Sequence, residues 1–187
     1  SAADQKISFG SVVWHSGNNY ERGCFENISF AGSESVKKAC RNYIKYEINK
    51  NGLTAEMLKQ YDYVCELRHC IVHSRSLMTG KNAIKLDICP CKNTISIKIL
   101  FDQLQECAAI CTTLVVSFNN ELFEEMCKRW AFDWRQRSTW REDKKNELFN
   151  AIWKKFYSQI DESNSTIVNP LSMVKCRNKI KVEFDII

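Results

Sequence analysis

The sequence predicts a mainly α protein, a helical bundle with an inserted β-hairpin and a short C-terminal strand. Its 187 residues include only two prolines, Pro90 and Pro170, so long helices are permitted. Apolar residues recur at helical spacings of three and four along several segments. Two other stretches alternate apolar and polar residues, as half-buried strands do. Together these patterns favour one helical domain with small β elements.

A first helix is expected after an N-terminal extension over residues 1–32, whose structure is unclear. Within that extension, residues 8–14 suggest a short strand and residues 20–28 a helical turn or two. Ser33 can cap a helix that runs to about Asn49, with an apolar side made by Val36, Cys40, Tyr43 and Ile44. Asn51-Gly52 should end it, since glycine is the usual residue where the chain turns left-handed.

A second helix and a hairpin are expected next. Thr54 can cap a helix that extends to about Ser76, and its apolar stripe comprises Met57, Leu58, Tyr61, Val64, Cys65, Ile71 and Val72. Alternation then follows in two runs around Cys89-Pro90-Cys91-Lys92-Asn93, with apolar residues Ile84, Leu86, Ile88, Ile95, Ile97 and Ile99. This pattern predicts a β-hairpin over residues 84–99.

The C-terminal half predicts two more helices and a strand. A long helix from Asp102 to about Trp130 carries a stripe of Leu104, Cys107, Ala108, Cys111, Leu114, Val115, Phe118, Leu122 and Met126. Another runs from about Glu142 to Ile160, with Phe149, Ile152, Trp153 and Phe156 facing inward. The helical domain therefore spans residues 33–160, and residues 161–187 form a tail that ends in an alternating strand with Ile180, Val182, Phe184 and Ile186.

Composition and charge bound the function classes. The chain is 44% hydrophobic and 26% charged with a net charge of +5, which suits a globular protein and permits an anionic partner. No apolar run approaches a membrane span, and no basic segment followed by an apolar one marks a signal peptide. Many of the ten cysteines fall on apolar stripes, where a free thiol packs as a small hydrophobe. We therefore expect reduced cysteines and a cytoplasmic location.

The second helix carries a cluster of groups suited to phosphate chemistry. Arg68 interrupts the apolar stripe, and the histidines His69 and His73 follow directly. Two explanations stay open for Arg68, namely a salt bridge to a carboxylate such as Glu66 or a bound anion. His69 and His73 lie one turn apart on one face, whereas Arg68 and His73 are about 140° apart around an ideal helix. A frayed helix end, the long arginine side chain or a second copy of the helix could bring them to one substrate.

The motif Arg68-His69-Cys70-Ile71-Val72-His73 resembles the Arg-x4–6-His motif of the HEPN-domain family. The resemblance covers roughly residues 33–130 and includes the shorter helix before the motif helix. Many HEPN proteins are metal-independent endoribonucleases that act as toxins or as antiviral or abortive-infection effectors, and they usually dimerise around a shared cleft. The resemblance therefore implies an endoribonuclease without cofactor or metal ion, which is a homodimer and can have an antitoxin or other defence-system protein as partner.

The resemblance also implies a role for each motif residue. His73 would help to remove the proton from the ribose 2′-OH or to protonate the leaving oxygen. Arg68 would hold the scissile phosphate and stabilise its developing charge. His69 would support these steps by orienting the phosphate or sharing proton transfer. We expect Arg75 to contact the RNA as well.

A second cluster interleaves aromatic and basic residues over residues 130–141. Trp134, Arg135 and Arg137 could stack on bases and hold phosphates, and we expect them to bind the RNA substrate. The alternative is that the aromatic side chains of this segment pack a helix junction while the arginines are solvated.

Two alternative functions remain open. The first is a non-catalytic HEPN-like module that binds RNA or a protein within a defence or toxin–antitoxin system. The second is a zinc-stabilised interaction domain, in which metal ligands would come from Cys65, His69, His73, Cys89 and Cys91. The spacing lacks a Cys-x2-Cys pair and the glutamate of a zincin motif, so it favours the metal-independent interpretation.

Overall fold

The computed structural model describes residues 13–14, 29–89, 91–158 and 171–186. Within these ranges the chain is mainly helical, as the sequence predicts. Six α-helices are present in this part of the chain: α1 Ser33–Ala39, α2 Leu53–His73, α3 Gly80–Lys85, α4 Phe101–Lys128, α5 Lys145–Phe156 and α6 Met173–Glu183. α1 and α4 each continue into a π-helical turn, Cys40–Ile44 and Arg129–Asp133, and the 3₁₀ turn Glu142–Lys144 precedes α5.

The chain forms two compact units, Ser1–Val115 and Val116–Ile187, and the boundary between them falls within α4. In the first unit, α1 begins where a carboxylate from α2 caps it. The backbone N–H of Ser33 donates to Asp62 Oδ1 at 2.7 Å, and the Ser33 hydroxyl donates to Asp62 Oδ2 at 2.5 Å. Gly32 stands before it at φ 141°, a conformation that favours glycine. The cap expected from Ser33 itself is therefore supplied by Asp62.

The connection between α1 and α2 differs from the expected one. The π-helical turn stops at Ile44, and Lys45 takes the left-handed conformation at φ 54° that the sequence suggested for Gly52. Gly52 instead occupies the N-cap of α2 with φ −88°, and its carbonyl accepts from Ala55 and Glu56. The first helix is therefore shorter than predicted, whereas the second matches its predicted range closely.

The hairpin expected over residues 84–99 is not formed by the described residues of that segment. Residues Gly80–Lys85 form α3, because Thr79 Oγ1 caps it by accepting from the N–H of Asn82 at 3.3 Å. The later run pairs instead with the chain just after α2. Met78 N–H donates to Ile95 O at 2.9 Å and Ile97 N–H donates to Ser76 O at 2.7 Å, around an antiparallel bridge of Leu77 with Ser96.

The second unit packs around two aromatic side chains. Trp130 and Phe149 are fully buried, their ring centroids are 4.9 Å apart, and the indole Nε1 of Trp130 donates to Lys145 O at 2.9 Å. Cys127, Ala131, Ile152 and Cys176 complete the buried cluster. The fourth predicted helix is confirmed over Lys145–Phe156, and its predicted end at Ile160 lies outside the described residues.

The predicted C-terminal strand is wrong, because this segment forms α6. The Ser172 side chain accepts from the N–H of Lys175 at 3.4 Å, which caps the helix. Met173, Cys176 and Ile180 then contact the core of the second unit at helical spacing. Val182, which a strand would have placed beside Ile180, is 78% exposed. The described residues also differ from the strand suggested over 8–14, since Val13 and Trp14 are helical and the rest of that stretch is outside them.

The predicted long helix is confirmed as α4 over Phe101–Lys128. Its predicted apolar stripe is only partly covered, since Leu104 and Val115 are exposed while Phe118 and Met126 are half-buried. None of the helices in the described ranges has the length and apolar character needed to cross a membrane.

Candidate functional site

The side chains of Arg68, His69 and His73 are all exposed near the C-terminal end of α2. The helix is held in the first unit by Leu58 and Cys70, both fully buried. On an ideal helix these two anchors are about 120° apart, so the buried face rotates along α2. Arg68 lies about 160° around the helix from Cys70, the buried residue at this level of the helix. Its expected position on a buried stripe is therefore wrong, and the guanidinium faces solvent.

The two histidines form a close pair. Their ring centroids are 4.9 Å apart with an interplanar angle of 47°. This spacing follows from their i, i+4 positions on a helix that remains regular through His73. Two imidazoles can therefore approach one small anionic group from the same face.

Arg68 and His73 do not share that face. Because α2 is regular to His73, fraying does not bring the two side chains together, and they stay about 140° apart around the helix axis. Arg68 forms no ion pair with any residue of the described ranges. Its charge acts on the side chains of Tyr61 and Cys65. Burial raises the pKa of the Tyr61 hydroxyl to about 12, and the guanidinium opposes that shift. The geometry of one chain thus supplies two imidazoles on one side and a cation on another.

The salt bridge to Glu66, left open as an explanation for Arg68, is not formed. The Glu66 carboxylate instead accepts from Asn82 Nδ2 at 2.6 Å and from the ammonium of Lys85, both on α3. Partial burial opposes ionisation of Glu66, but the hydrogen bonds from Lys85 and Asn82 outweigh it and lower its pKa. His69 adds to this lowering. The Glu66 carboxylate, which lies beside the histidines, is therefore ionised and already bound to α3.

The end of α2 is an unusual turn that displays Arg75. Arg75 and Ser76 both have left-handed backbones, with φ 51° and 63°, and neither is glycine. The N–H of Ser76 donates to Cys70 O at 3.1 Å, which closes the helix end. Pairing of residues 76–78 with 95–97 holds this strained turn in place. Arg75 is exposed two residues beyond His73.

The aromatic and basic segment of the second unit divides into a buried part and an open part. Trp130 is in the core, and the guanidinium of Arg135 lies between Trp130 and Trp140, at 5.4 and 5.2 Å from their ring centroids. Nε and Nη2 of Arg135 are buried and have no hydrogen-bond partner among the described residues. The guanidinium of Arg135 therefore packs against the two indole rings of this segment.

Trp134 and Arg137 lie elsewhere, at an open cleft of about 550 Å³. Trp140, Arg141 and Lys144 line the same cleft. The sequence pattern indicated Trp134 and Arg137 but not Lys144. Residues 134–141 form turns and not a regular helix, so no helical spacing in the sequence could have indicated this common surface.

The proposed zinc ligands are not brought together in the described part of the chain. No group of three or more His, Cys, Asp or Glu side chains there is arranged to hold a metal ion.

No protein-family model, curated protein or solved structure matches this chain.

Proposed function

We propose that this protein is a metal-independent endoribonuclease whose reacting groups are His73, His69 and Arg68. The observation that carries the proposal is the exposed histidine pair, with ring centroids 4.9 Å apart, next to Arg68 and Arg75 at one end of α2. Side chains that can exchange protons near neutral pH, beside cations that can hold a phosphate, suit a phosphodiester. The resemblance of residues 68–73 to the HEPN motif supports the same activity.

The chemistry needs only groups that this chain supplies. The ribose 2′-oxygen attacks the adjacent phosphorus while His73 helps to move the proton at one of the two reacting oxygens. The bond from phosphorus to the 5′-oxygen breaks, and that oxygen leaves as a hydroxyl after gaining a proton. Arg68 stabilises the charge that develops on the phosphate, and His69 orients it or shares proton transfer. The products are a 2′,3′-cyclic phosphate and a 5′-hydroxyl end.

The separation of Arg68 from His73 leads to a homodimer as part of the proposal. On one regular helix the two side chains point about 140° apart, so a two-fold arrangement of α2 helices would place Arg68 of one copy beside His73 of the other. Val72, expected on the apolar stripe, is 58% exposed next to this motif and could be covered by the same contact. The dimer explains how separate faces serve one phosphate.

The biological role follows only from the resemblance. We propose a toxin or antiviral effector that works in the cytoplasm, and an antitoxin or other defence-system protein as its partner.

The activity is tested by incubating the full chain with a labelled single-stranded RNA in excess EDTA, beside a DNA of the same sequence. RNA should be cut and DNA should persist, since DNA has no 2′-OH to attack. The 5′ fragments should end in a cyclic phosphate, identified by mass spectrometry. RNA that stays intact under all conditions, or cleavage that EDTA abolishes, would contradict the proposal.

A further inference from the structure

The cleft of the second unit has the chemistry of a nucleotide site. Two indoles, Trp134 and Trp140, line it together with charged side chains. These are the cations Arg137, Arg141 and Lys144 and one carboxylate, Glu147. Its volume of about 550 Å³ lies within the range of roughly 300–1,000 Å³ that small-ligand pockets occupy. Aromatic rings recognise the flat face of a base, and cations recognise its phosphate.

The Trp140 wall of the cleft is held in place by contacts with neighbouring residues. The guanidinium of Arg135 covers one face of the Trp140 ring, and the Trp140 indole Nε1 donates to Glu142 Oε2 at 2.8 Å. Lys145 binds the same glutamate through its ammonium, and its carbonyl accepts from Trp130 in the core. Arg135 therefore acts as a positioning residue that ties Trp140 to the core. A preformed aromatic wall loses little freedom when a base stacks on it.

The charges of the cleft leave one cation available. Arg141 is paired with Asp143 at 2.9 Å and Lys144 with Glu147 at 2.8 Å. Arg137 is exposed and has no ion pair with a residue of the described ranges, while its backbone is held by two turn hydrogen bonds, to Trp134 O and from Trp140 N–H. Arg137 is therefore the side chain best placed to meet a phosphate at this cleft.

We propose that this cleft binds one nucleotide unit, with its base against Trp134 and Trp140 and its phosphate at Arg137. The unit can come from a single-stranded RNA or from a free nucleotide, since both present a base and a phosphate. For RNA the inference rests on the proposed function, where it would give the enzyme a second contact with its substrate, outside the motif. Binding itself requires no cleavage, so the two proposals can fail separately.

The test measures fluorescence anisotropy of a labelled 2′-O-methyl adenylate hexamer, which has no free 2′-OH to be cut, against the full chain. Arg137→Gln should weaken binding about tenfold, as loss of a charged hydrogen bond does. Trp134→Leu should weaken it on the order of tenfold, and Trp134→Phe much less, since a stacking ring remains. Lys154→Gln and Trp14→Leu are matched controls at exposed positions and should stay within about twofold.

Competition with unlabelled ligands separates the two sources. Displacement of the hexamer by adenosine monophosphate supports a free nucleotide as sufficient, whereas displacement only by unlabelled hexamer supports a strand. Because Trp134 also packs against the core of the second unit, its leucine variant could unfold, and Arg137→Gln then decides alone. The inference would be overturned if Arg137→Gln and Lys154→Gln weakened hexamer binding equally. It would also be overturned if the wild-type protein bound neither the hexamer nor adenosine monophosphate. If the wild-type protein still cleaved RNA in that case, the proposed function would not be contradicted.

Discussion

At the scale of single residues, Asp62 fixes where α1 begins. It receives both polar hydrogens of Ser33, and it lies 3.4 Å from the position that a Cβ on Gly32 would occupy. This one carboxylate links α1 to α2 in the unit that holds the motif. The short α1 has no side-chain cap of its own, so it depends on this contact.

Removing that carboxylate should loosen α1. Asp62→Ala is expected to lower the free energy of unfolding by about 1–3 kcal/mol, because a buried N–H and hydroxyl lose their acceptor. Urea denaturation followed by circular dichroism measures the change. Lys59→Ala, an exposed change on the same helix, should stay within about 0.5 kcal/mol. Equal stability of the two variants would show that Asp62 does not hold α1.

At the scale of elements, the contact of α2 with α3 depends on charge. Glu66 reaches Asn82 and Lys85 of α3 from the same helix face that carries His69 and His73. Asn82 is buried, so its amide needs an acceptor, and the ionised carboxylate supplies it. The position of α3 next to the motif is therefore linked to the protonation of Glu66.

This link predicts a pH dependence. The folded pKa of Glu66 is below its ordinary value of 4.5, so its contribution is fully present above that value and is lost as the pH falls through the folded pKa. Glu66→Gln should therefore destabilise the protein at pH 7 by about 0.5–1 kcal/mol, and wild type and variant should converge in strong acid. Urea midpoints at a series of pH values measure this. A difference that stays constant down to strong acid would contradict the assignment.

The same scale shows which elements the sequence could predict. α2 and α4 follow long periodic stripes, and both appear close to their predicted ranges. The C-terminal strand failed because two patterns coexist there: Ile180 and Val182 alternate with polar residues, but Met173, Cys176 and Ile180 also have helical spacing. The cap at Ser172 and the core contact of Cys176 favour the helix over the strand.

For α3, the deciding contact comes from outside the segment. The alternating Ile84, Leu86 and Ile88 favour a strand locally, yet the cap at Thr79 and the bond from Asn82 to Glu66 fix a helical turn. In the candidate site, too, some features follow from the local sequence and others depend on contacts with distant residues. The histidines lie one turn apart by helix geometry alone, whereas the exposure of Arg68 depends on Cys70 being the buried residue on the opposite side of α2. The cleft at Trp134 depends on packing of Arg135 that no spacing rule anticipates.

At the scale of the whole molecule, the cysteines differ in how accessible their thiols are. Cys40, Cys70, Cys127 and Cys176 are buried, and burial raises the pKa of Cys127 to about 12. Cys89 and Cys91 are exposed. Within the described ranges, free thiols are present at Cys65, Cys70, Cys89, Cys91, Cys107, Cys111, Cys127 and Cys176.

Thiol titration should therefore proceed in stages. Without reductant, Cys89 and Cys91 should react first with a chromogenic disulfide. The buried thiols of Cys70, Cys127 and Cys176 should react only on unfolding, since burial shields them from the reagent and the reactive form is the thiolate. In denaturant nearly all ten cysteines of the chain should react. Recovery of only a few would point to disulfide bonds and a secreted protein instead.

Assembly is the second prediction at this scale. If Arg68 of one copy serves His73 of the other, mixing inactive Arg68→Ala and His73→Ala chains should restore about a quarter of wild-type cleavage, because half of the dimers are mixed and carry one intact site. Chains are mixed in denaturant, refolded and assayed, with light scattering to confirm the dimer. A monomer with full activity, or no recovery from the mixture, would contradict the shared cleft.

The proposal that residues 68–73 cut RNA is tested most directly by the rate of RNA cleavage in EDTA for single substitutions. His73→Ala and Arg68→Ala should each lose on the order of a hundredfold, as loss of proton transfer or of a key charge does. His69→Ala should lose less, and Lys59→Gln should match wild type. Circular dichroism should show folded protein throughout, because all three motif side chains are exposed. A His73→Ala protein that cleaves RNA at the wild-type rate would contradict the assignment.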